Sequence, residues 1–206
     1  IERDTQALTI PSGTTKIGNN AFYRYSDMTS VTIPNSVTSI GERTFGYCSG
    51  LTSVTIGKSV TSIGSYAFSG CSGLTSVTIG NSVTTIGDGA FADCDGLTTV
   101  SIPKSVTSIG ASAFSACENL TNLNVPDSVT SIGFSTFYNC SSLTSVTIGS
   151  GVTSIGDNAF SECTNLTGIW VDEQNPVYSS DRQGALLNKD QTLLIRVPGA
   201  VRGAYY

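Results

Sequence analysis

Hydrophobic and polar positions recur along this chain in a pattern that repeats every 23 residues. The segment 51–73 reads LTSVTIGKSVTSIGSYAFSGCSG, and the segment 74–96 repeats its apolar positions in the same order. Self-similarity at a period between about 20 and 50 residues predicts a solenoid, in which each unit packs mainly on its neighbours. The register is marked by phenylalanine across most of the molecule, at Phe22, Phe45, Phe68, Phe91, Phe114, Phe137 and Phe160.

Each unit begins with a pattern that predicts a short strand. In the unit 51–73, Val54 and Ile56 face one side, and Ser53 and Thr55 face the other. Units stacked about 4.8 Å apart would join these strands into one parallel sheet with its aliphatic side inward. Proline or glycine follows the strand in every unit, which predicts a turn where the ladder of hydrogen bonds ends.

The middle of each unit is less regular. Val60 and Ile63 are three residues apart, which does not fit strand alternation and favours an irregular or 3₁₀ arc. Gly64 follows, and glycine holds this position in every unit. This predicts a positive φ or a close approach of backbones at that point.

The end of each unit predicts a short helix. Ala67, Phe68 and Cys71 stand at i, i+1 and i+4, so they would share one face of about two helical turns. Asp88 and Asp157 are placed where a helix N-terminal cap would stand in their units.

The repeat fails after Leu166, and the segments 185–187 and 192–196 predict a β-hairpin. We therefore divide the chain into a solenoid of 23-residue units, 1–170, and an irregular C-terminal hairpin, 171–206, within the same structural domain. The hairpin is expected to cap the stack. Residues 1–4 are too few to cap the first unit, so we expect further sequence before them.

The pattern LxxVxIxxxVxxIGxxAFxxCxx resembles the BspA-like, treponemal type of leucine-rich repeat, found mainly in bacterial surface proteins and in some parasitic protists. The resemblance covers about residues 5–170, and NPVYSSDRQGALLNKDQTLLIRVPG resembles the hairpin that interrupts repeats in that family. It implies a right-handed leucine-rich-repeat solenoid, or horseshoe, with a concave parallel sheet and short helices or 3₁₀ arcs on the convex side. It also implies secretion or surface attachment, adhesion to host or microbial proteins, and no catalytic motif. A further block of repeats commonly follows the hairpin in that family, so the resemblance implies that the hairpin separates two blocks and that sequence continues after Tyr206.

Composition excludes several functions. The net charge is −5 and only 12% of residues are charged, so no basic stripe is available for nucleic acid. No apolar run approaches the roughly 18 residues that cross a bilayer, so membrane insertion is not expected. Histidine is absent, and no nucleophile elbow or convergent carboxylate pair appears, which argues against an enzyme. No cofactor is expected.

Six cysteines recur at one position of the repeat. An even number in a secreted protein would suggest disulfides, but each cysteine has an equivalent above and below, and Tyr25 holds the position in the first unit. We favour a ladder of buried free thiols over disulfides between neighbours. A metal site fits least, because zinc requires four converging ligands rather than a line. The thiols are Cys48, Cys71, Cys94, Cys117, Cys140 and Cys163.

Two surfaces could carry binding. The positions that vary most between units lie around the predicted helix, and their aromatic and basic residues are candidate anchors for a protein ligand, although helix surfaces also vary freely. They are Tyr23, Arg24, Tyr47, Tyr66, Phe134 and Tyr138. The outward strand positions form rows of hydroxyls that could bind a ligand or ice, or that serve only as a soluble strand face. They are Ser53, Thr55, Ser76, Thr78, Thr99 and Ser101, with Asn122, Asn124 and Trp170 as departures.

Trp170 is the only tryptophan and lies beside the predicted hairpin, where packing beneath it is the simpler interpretation. Asp88, Asp93 and Asp95 crowd one unit, and solvated capping explains them better than calcium does. We expect a non-enzymatic, monomeric extracellular or cell-surface module that binds a host extracellular-matrix protein or a microbial surface protein. The alternative is a structural spacer that projects another binding domain, because the units are nearly identical.

Overall fold

The computed structural model describes residues 7–201. Within them the chain forms a β-solenoid of seven coils followed by a small antiparallel sheet. Residues 1–4 and Tyr206, for which we made predictions from the sequence, lie outside this range. We number coils 1 to 7 by the glycine that each contains, which are Gly18, Gly41, Gly64, Gly87, Gly110, Gly133 and Gly156.

The predicted parallel strands are confirmed. Each residue pairs with the residue 23 positions later, as Val31 does with Val54. The ladder divides into a five-stranded and a three-stranded sheet. The strands of this first stack are β1 (Ala7–Thr9), β3 (Ser30–Thr32), β5 (Ser53–Thr55), β7 (Ser76–Thr78), β9 (Thr99–Ser101), β11 (Asn122–Val125), β13 (Ser145–Ile148) and β15 (Gly168–Val171).

The predicted irregular arc is wrong, because a second parallel sheet of seven two-residue strands occupies its place. Ile40 pairs with Ile63 in this sheet. Thr61 reinforces it, since its N–H and its Oγ1 both donate to the Thr38 carbonyl, at 2.8 and 3.1 Å. The strands are β2 (Lys16–Ile17), β4 (Ser39–Ile40), β6 (Ser62–Ile63), β8 (Thr85–Ile86), β10 (Ser108–Ile109), β12 (Ser131–Ile132) and β14 (Ser154–Ile155).

The predicted short helices are also wrong: residues 7–201 contain no helix, and consecutive turns stand in their place. A helix would use each N–H for the carbonyl four residues earlier. Here alternate N–H groups reach the next coil instead, and the Phe45 N–H donates to the Ala67 carbonyl at 2.8 Å. The intervening groups close three-residue turns, as the Gly46 N–H does with the Arg43 carbonyl at 3.1 Å. We call these residues the turn segments.

Asp88 therefore caps no helix. Its Oδ1 accepts the N–H of Ala111 at 2.8 Å, so it links its own coil to the following one. Asn19 forms the same link to the N–H of Glu42, also at 2.8 Å. The predicted cap at Asp157 is wrong for the same reason, since residues 7–201 contain no helix.

The interior is continuous from coil to coil. The apolar positions predicted from the unit 51–73 are buried, from Leu51 through Cys71. The phenylalanine rings form one stack, with neighbouring centroids 5.2–5.6 Å apart and ring planes within 12° of parallel. Coil 1 departs from this pattern, because Ala21 is exposed and Phe22 is only partly buried.

The C-terminal sheet contains one more strand than predicted. β17 (Leu186–Asn188) and β18 (Leu194–Arg196) form the expected hairpin, and β16 (Tyr178–Ser180) pairs antiparallel with β17. The 23-residue register of the repeat continues into this C-terminal sheet. Tyr178 occupies the register position of Ile155 in the next coil, and its hydroxyl accepts the Ile155 N–H at 3.0 Å.

Asn175 completes the end of the stack at the register position of Val152. It is fully buried, and its Nδ2 donates to the carbonyls of Gly149 and Val152, at 3.0 and 2.9 Å. Its Oδ1 accepts the N–H groups of Val177 and Tyr178, at 2.9 and 2.8 Å. One amide therefore satisfies four backbone groups where the next coil would otherwise lie.

We predict that Asn175→Ala lowers the free energy of unfolding of the C-terminal end by about 3 kcal/mol or more, because it leaves buried donors and acceptors unpaired. Urea denaturation followed by the emission of Trp170, the only tryptophan, measures this. The neighbouring exposed Gln174→Ala is the control and should change the midpoint little. Equal midpoints for the two variants would contradict the proposed role of Asn175.

Candidate functional site

Two positions in every turn segment have positive φ, the second and the sixth after the glycine of the coil, with values between 50° and 71°. Side chains rarely adopt this left-handed region, and large ones do so only where the surroundings hold them there. Coils 1 to 3 nevertheless place large residues at these positions. They are Arg24 (φ 60°), Arg43 (50°), Tyr47 (59°) and Tyr66 (56°).

These residues form one cluster with Tyr23, which we call the tyrosine–arginine surface (Tyr23, Arg24, Arg43, Tyr47 and Tyr66). The rings of Tyr23 and Tyr47 meet edge to face, with centroids 5.8 Å apart. The Arg24 guanidinium lies 5.4 and 5.7 Å from these two centroids, and that of Arg43 lies 5.1 Å from the Tyr66 centroid. A cation that lies over an aromatic face is attracted to the ring at such distances. Each arginine and the tyrosines below it therefore stabilise one another's positions.

Glycines of the following coil make room for the rings. A Cβ at Gly70 would stand 2.6 Å from the Tyr47 ring, and a Cβ at Gly89 would stand 2.4 Å from the Tyr66 ring. Each tyrosine thus lies against backbone that only glycine leaves open. Because both glycines come 23 residues after their tyrosine, each ring rests on the equivalent region of the next coil.

The surface borders an open hollow of about 630 Å³, within the size range of ligand sites. Its three tyrosines remain 36–48% exposed. Charges of both signs occur there, since Arg43 forms an ion pair with Glu42 and Asp93 lies on the wall. The lining residues are Asn20, Tyr23, Arg43, Gly46, Tyr47, Tyr66, Ser69, Ala92 and Asp93.

The structure brings together four of the six residues predicted for this side of the molecule. Phe134 and Tyr138 are exposed but lie in coil 6, three coils beyond Tyr66. Sequence reasoning missed Arg43, although it holds the same repeat position as Tyr66. A signal for the cluster was present: glycine follows each of its three tyrosines after 23 residues, whereas serine follows Tyr138.

The predicted hydroxyl rows lie on the outward face of the first stack. The side chains are exposed at Ser53, Thr55, Ser76, Thr78, Thr99 and Ser101. The departures from the rows make contacts of their own, and the Asn124 Oδ1 accepts the Thr147 hydroxyl at 2.6 Å. The Asn122 Oδ1 accepts the Thr144 hydroxyl at 3.3 Å.

Trp170 lies on this face at the end of the stack. A Cβ at Gly168 would stand 2.6 Å from its indole, so the ring lies against the strand that carries it. A Cβ at Gly184 of the hairpin would stand 3.3 Å from its Cζ2, and 42% of the residue stays exposed. Trp170 is therefore beside the hairpin, as expected, but only partly buried.

The six cysteines are buried and unpaired in the structure. Each thiol donates to the carbonyl of the phenylalanine 26 residues earlier, at 3.1–3.2 Å, as Cys71 does to Phe45. Burial raises the pKa of every thiol, to about 12 for Cys117 and about 11 for Cys163. A small side chain with one weak donor fits this position, and its protonated form is favoured.

The remaining candidates for chemistry in the described range are acidic residues and possible metal ligands. Burial raises the pKa of the Asp95 carboxyl, and the charges of Glu118 and Asp93 add to this effect. No group of three or more acidic, cysteine or histidine side chains among residues 7–201 is arranged to hold a metal ion. The same residues include no helix of the length and apolar character that a bilayer span requires.

The family described as BspA type leucine rich repeat region matches this chain in six copies, over residues 2–107 and 84–181. These two ranges include most of the solenoid and the start of the hairpin sheet. No curated protein matches the chain.

Three solved structures show the same fold. A leucine rich cell surface protein from Faecalibacterium prausnitzii is 31% identical, with 94% of this chain and 54% of that chain covered and a TM-score of 0.64. A leucine-rich repeat protein from Eubacterium ventriosum is 29% identical, with coverages of 97% and 48% and a TM-score of 0.63. The leucine rich repeat protein of T. pallidum is 27% identical, with coverages of 80% and 68% and a TM-score of 0.59. The chain thus spans about half the length of the first two.

We predict six reactive thiols when the protein is denatured without reductant. In the structure each thiol donates a hydrogen bond to a carbonyl oxygen, and none forms a disulfide. Titration with a thiol reagent in denaturant counts them. A native sample should react slowly by comparison, since the thiols are buried and protonated. A count of zero would establish disulfides and contradict the ladder of free thiols.

We also predict that stability falls as the pH rises above about 9. The pKa of a thiol in the unfolded chain is near 9.0, whereas burial raises it to about 12 for Cys117 in the folded chain. Between these values the unfolded state binds fewer protons, so each thiol lowers stability by up to about 1.4 kcal/mol per pH unit.

Urea denaturation at several alkaline pH values measures this slope. The variant Cys94→Ala/Cys117→Ala should have a slope that is shallower by up to about 1.4 kcal/mol per pH unit for each thiol removed. Comparing slopes rather than midpoints separates the titration from any packing cost of the substitutions. Parallel slopes for the two proteins would contradict the prediction.

Proposed function

This chain belongs to the BspA-type leucine-rich repeat family, and on that premise we propose that it is a non-enzymatic binding segment of a bacterial cell-surface protein. A surface location is supported by the Faecalibacterium prausnitzii neighbour, which is a leucine rich cell surface protein. The proposed site is the tyrosine–arginine surface. Its proposed partner is a protein, either from the host extracellular matrix or from a microbial surface, bound by the chain as a monomer.

The observation on which this proposal rests is that the backbone and the neighbouring coil fix the positions of the tyrosine rings. Tyr47 and Tyr66 have positive φ, and their rings lie over glycines of the next coil. Such rings lose little conformational freedom when a partner covers them, and preorganisation of this kind favours affinity. Phe134 and Tyr138, which are exposed elsewhere, have Asp157 and Ser161 at the position 23 residues later.

The chemistry of the surface fits a protein partner. Tyrosine and arginine are enriched at the energetically dominant positions of protein interfaces. The surroundings supply Asn20, Ser69 and glycine, which are residue types common on antibody binding surfaces. Charges of both signs lie there, so attraction to a strongly charged polymer is not the expected source of affinity.

The second candidate is a spacer that projects another binding domain. The regularity of the stack favours it, because the phenylalanine rings of neighbouring coils keep nearly the same spacing throughout. A spacer requires no exposed aromatic cluster, however. The tyrosines therefore distinguish the two functions.

We predict that the triple variant Tyr23→Ser/Tyr47→Ala/Tyr66→Ser loses attachment by about tenfold or more, since truncation of a central interface residue commonly costs 2 kcal/mol or more. Each replacement is the residue that another coil carries at that position, in Ser69, Ala116 and Ser112. The backbone therefore accepts it, even at positive φ. Attachment is measured on immobilised host extracellular-matrix proteins and on whole bacterial cells.

The matched control is Tyr138→Ser, which removes an exposed tyrosine from coil 6 and should leave attachment unchanged. If the triple variant attaches as the unmodified chain does, the tyrosine–arginine surface is not the binding site. If the triple variant, the Tyr138→Ser control and the unmodified chain all fail to attach to any of these surfaces, the result favours the spacer function.

A further inference from the structure

The outward face of the first stack changes character at its C-terminal end. From Ala7 to Thr147 its outward positions carry alanine, serine, threonine and asparagine, whereas β15 carries Gly168 and Trp170. Trp170 is thus the only aromatic residue at an outward position of the strands β1 to β15 in this stack. The two departures occur together, because the glycine makes room for the ring.

The indole of Trp170 lies close to two parts of the chain, its own strand and the hairpin. A Cβ at Gly168 would stand 2.6 Å from the indole Nε1, and a Cβ at Gly184 would stand 3.3 Å from its Cζ2. Gly184 has a φ of 77°, and its carbonyl accepts the Ile169 N–H at 2.8 Å. The hairpin is therefore fixed beside the ring, which it borders without covering.

A hollow lies on each side of Trp170. The one toward the solenoid has a volume of about 330 Å³ and is lined by Lys104, Asn124 and Thr147 among others. The one toward the hairpin has a volume of about 470 Å³. Both include Trp170, Val171 and Asp172 in their walls, so they adjoin the indole, and we call the two hollows together the trough.

Polar groups in the trough retain hydrogen-bonding capacity. The Asn124 Oδ1 is used by Thr147, and no acceptor for its Nδ2 occurs among the described residues. The Asp172 Oδ1 accepts the Gln174 N–H at 2.8 Å, which leaves its second oxygen as an acceptor. The Ser180 Oγ accepts the Val171 N–H at 2.8 Å, so its hydrogen is available for donation.

A peptide cannot extend this sheet by adding a strand, because the hairpin already uses the edge of β15. The N–H groups of Ile169 and Val171 donate to Gly184 and to Ser180. Strand addition depends on such groups being free. The trough therefore offers side chains and one aromatic face rather than a backbone ladder.

A sugar ring has a C–H face that packs on an aromatic ring and a rim of hydroxyls that both donate and accept hydrogen bonds. The trough supplies the matching groups, with the indole for the face and Asn124, Asp172 and Ser180 for the rim. Three basic and four acidic residues line the two hollows, so their charges nearly cancel, which favours a neutral ligand. The basic residues are Lys104, Arg182 and Lys189, and the acidic ones are Asp127, Asp172, Glu173 and Asp181. We propose that the trough around Trp170 binds a neutral oligosaccharide, at a site separate from the tyrosine–arginine surface.

The test uses the whole chain and short neutral oligomers of glucose, galactose, mannose and N-acetylglucosamine. Trp170 is the only tryptophan, so its emission reports events at the proposed site directly. We expect a saturable change in emission with at least one of these oligosaccharides. Asn124→Ala should weaken that affinity by about tenfold or more, as loss of a well-placed contact does.

Thr78→Ala is the matched control, since it removes an exposed outward side chain from β7 and should leave the affinity unchanged. Trp170→Ala is followed by calorimetry and should abolish binding. The triple tyrosine variant should bind the oligosaccharide as the unmodified chain does, which separates this site from the proposed protein-binding surface. No saturable change with any oligosaccharide, or undiminished binding by both Asn124→Ala and Trp170→Ala, would overturn the proposal.

Discussion

Hydrogen bonds between equivalent positions of successive coils are the constraint on which the rest of this structure depends. They run along three lines, through the two parallel stacks and through the turn segments, where the Phe45 N–H reaches the Ala67 carbonyl. Because each line pairs residues that are about one repeat apart, an insertion within a line would shift its pairing with both neighbouring coils. The constant period of 23 residues therefore follows from the backbone as much as from the side chains.

The interior and the first stack could be predicted because side-chain periodicity records them directly. The turn segments could not. Ala67, Phe68 and Cys71 point inward whether the segment is a helix or a series of turns, so their spacing does not distinguish the two. The deciding interactions join residues one repeat apart, outside the local window in which helix patterns are read. The second stack was missed for a similar reason, since two-residue strands are too short to show alternation.

The candidate binding residues were predictable only in part. Variation between copies identified Tyr47 and Tyr66, because exposed aromatic residues depart visibly from a serine-rich background. Their grouping with Arg24 and Arg43 depends on distances across coils, which the linear pattern does not give. Glycine one period after a tyrosine is a signal that sequence reasoning can use in repeat proteins, since a ring that lies over the next coil requires space there.

The binding and spacer functions need not compete. The two proposed sites lie at different places, the turn segments of coils 1 to 3 and the outward face near Trp170, and further coils of the solenoid lie between them. Those coils share one core, one stack of phenylalanine rings and continuous hydrogen bonding. Such a frame holds the two surfaces at a fixed separation, which would preorganise each of them for its proposed ligand. The uniform repeats that favour a spacer are thus also what keeps the irregular positions in place.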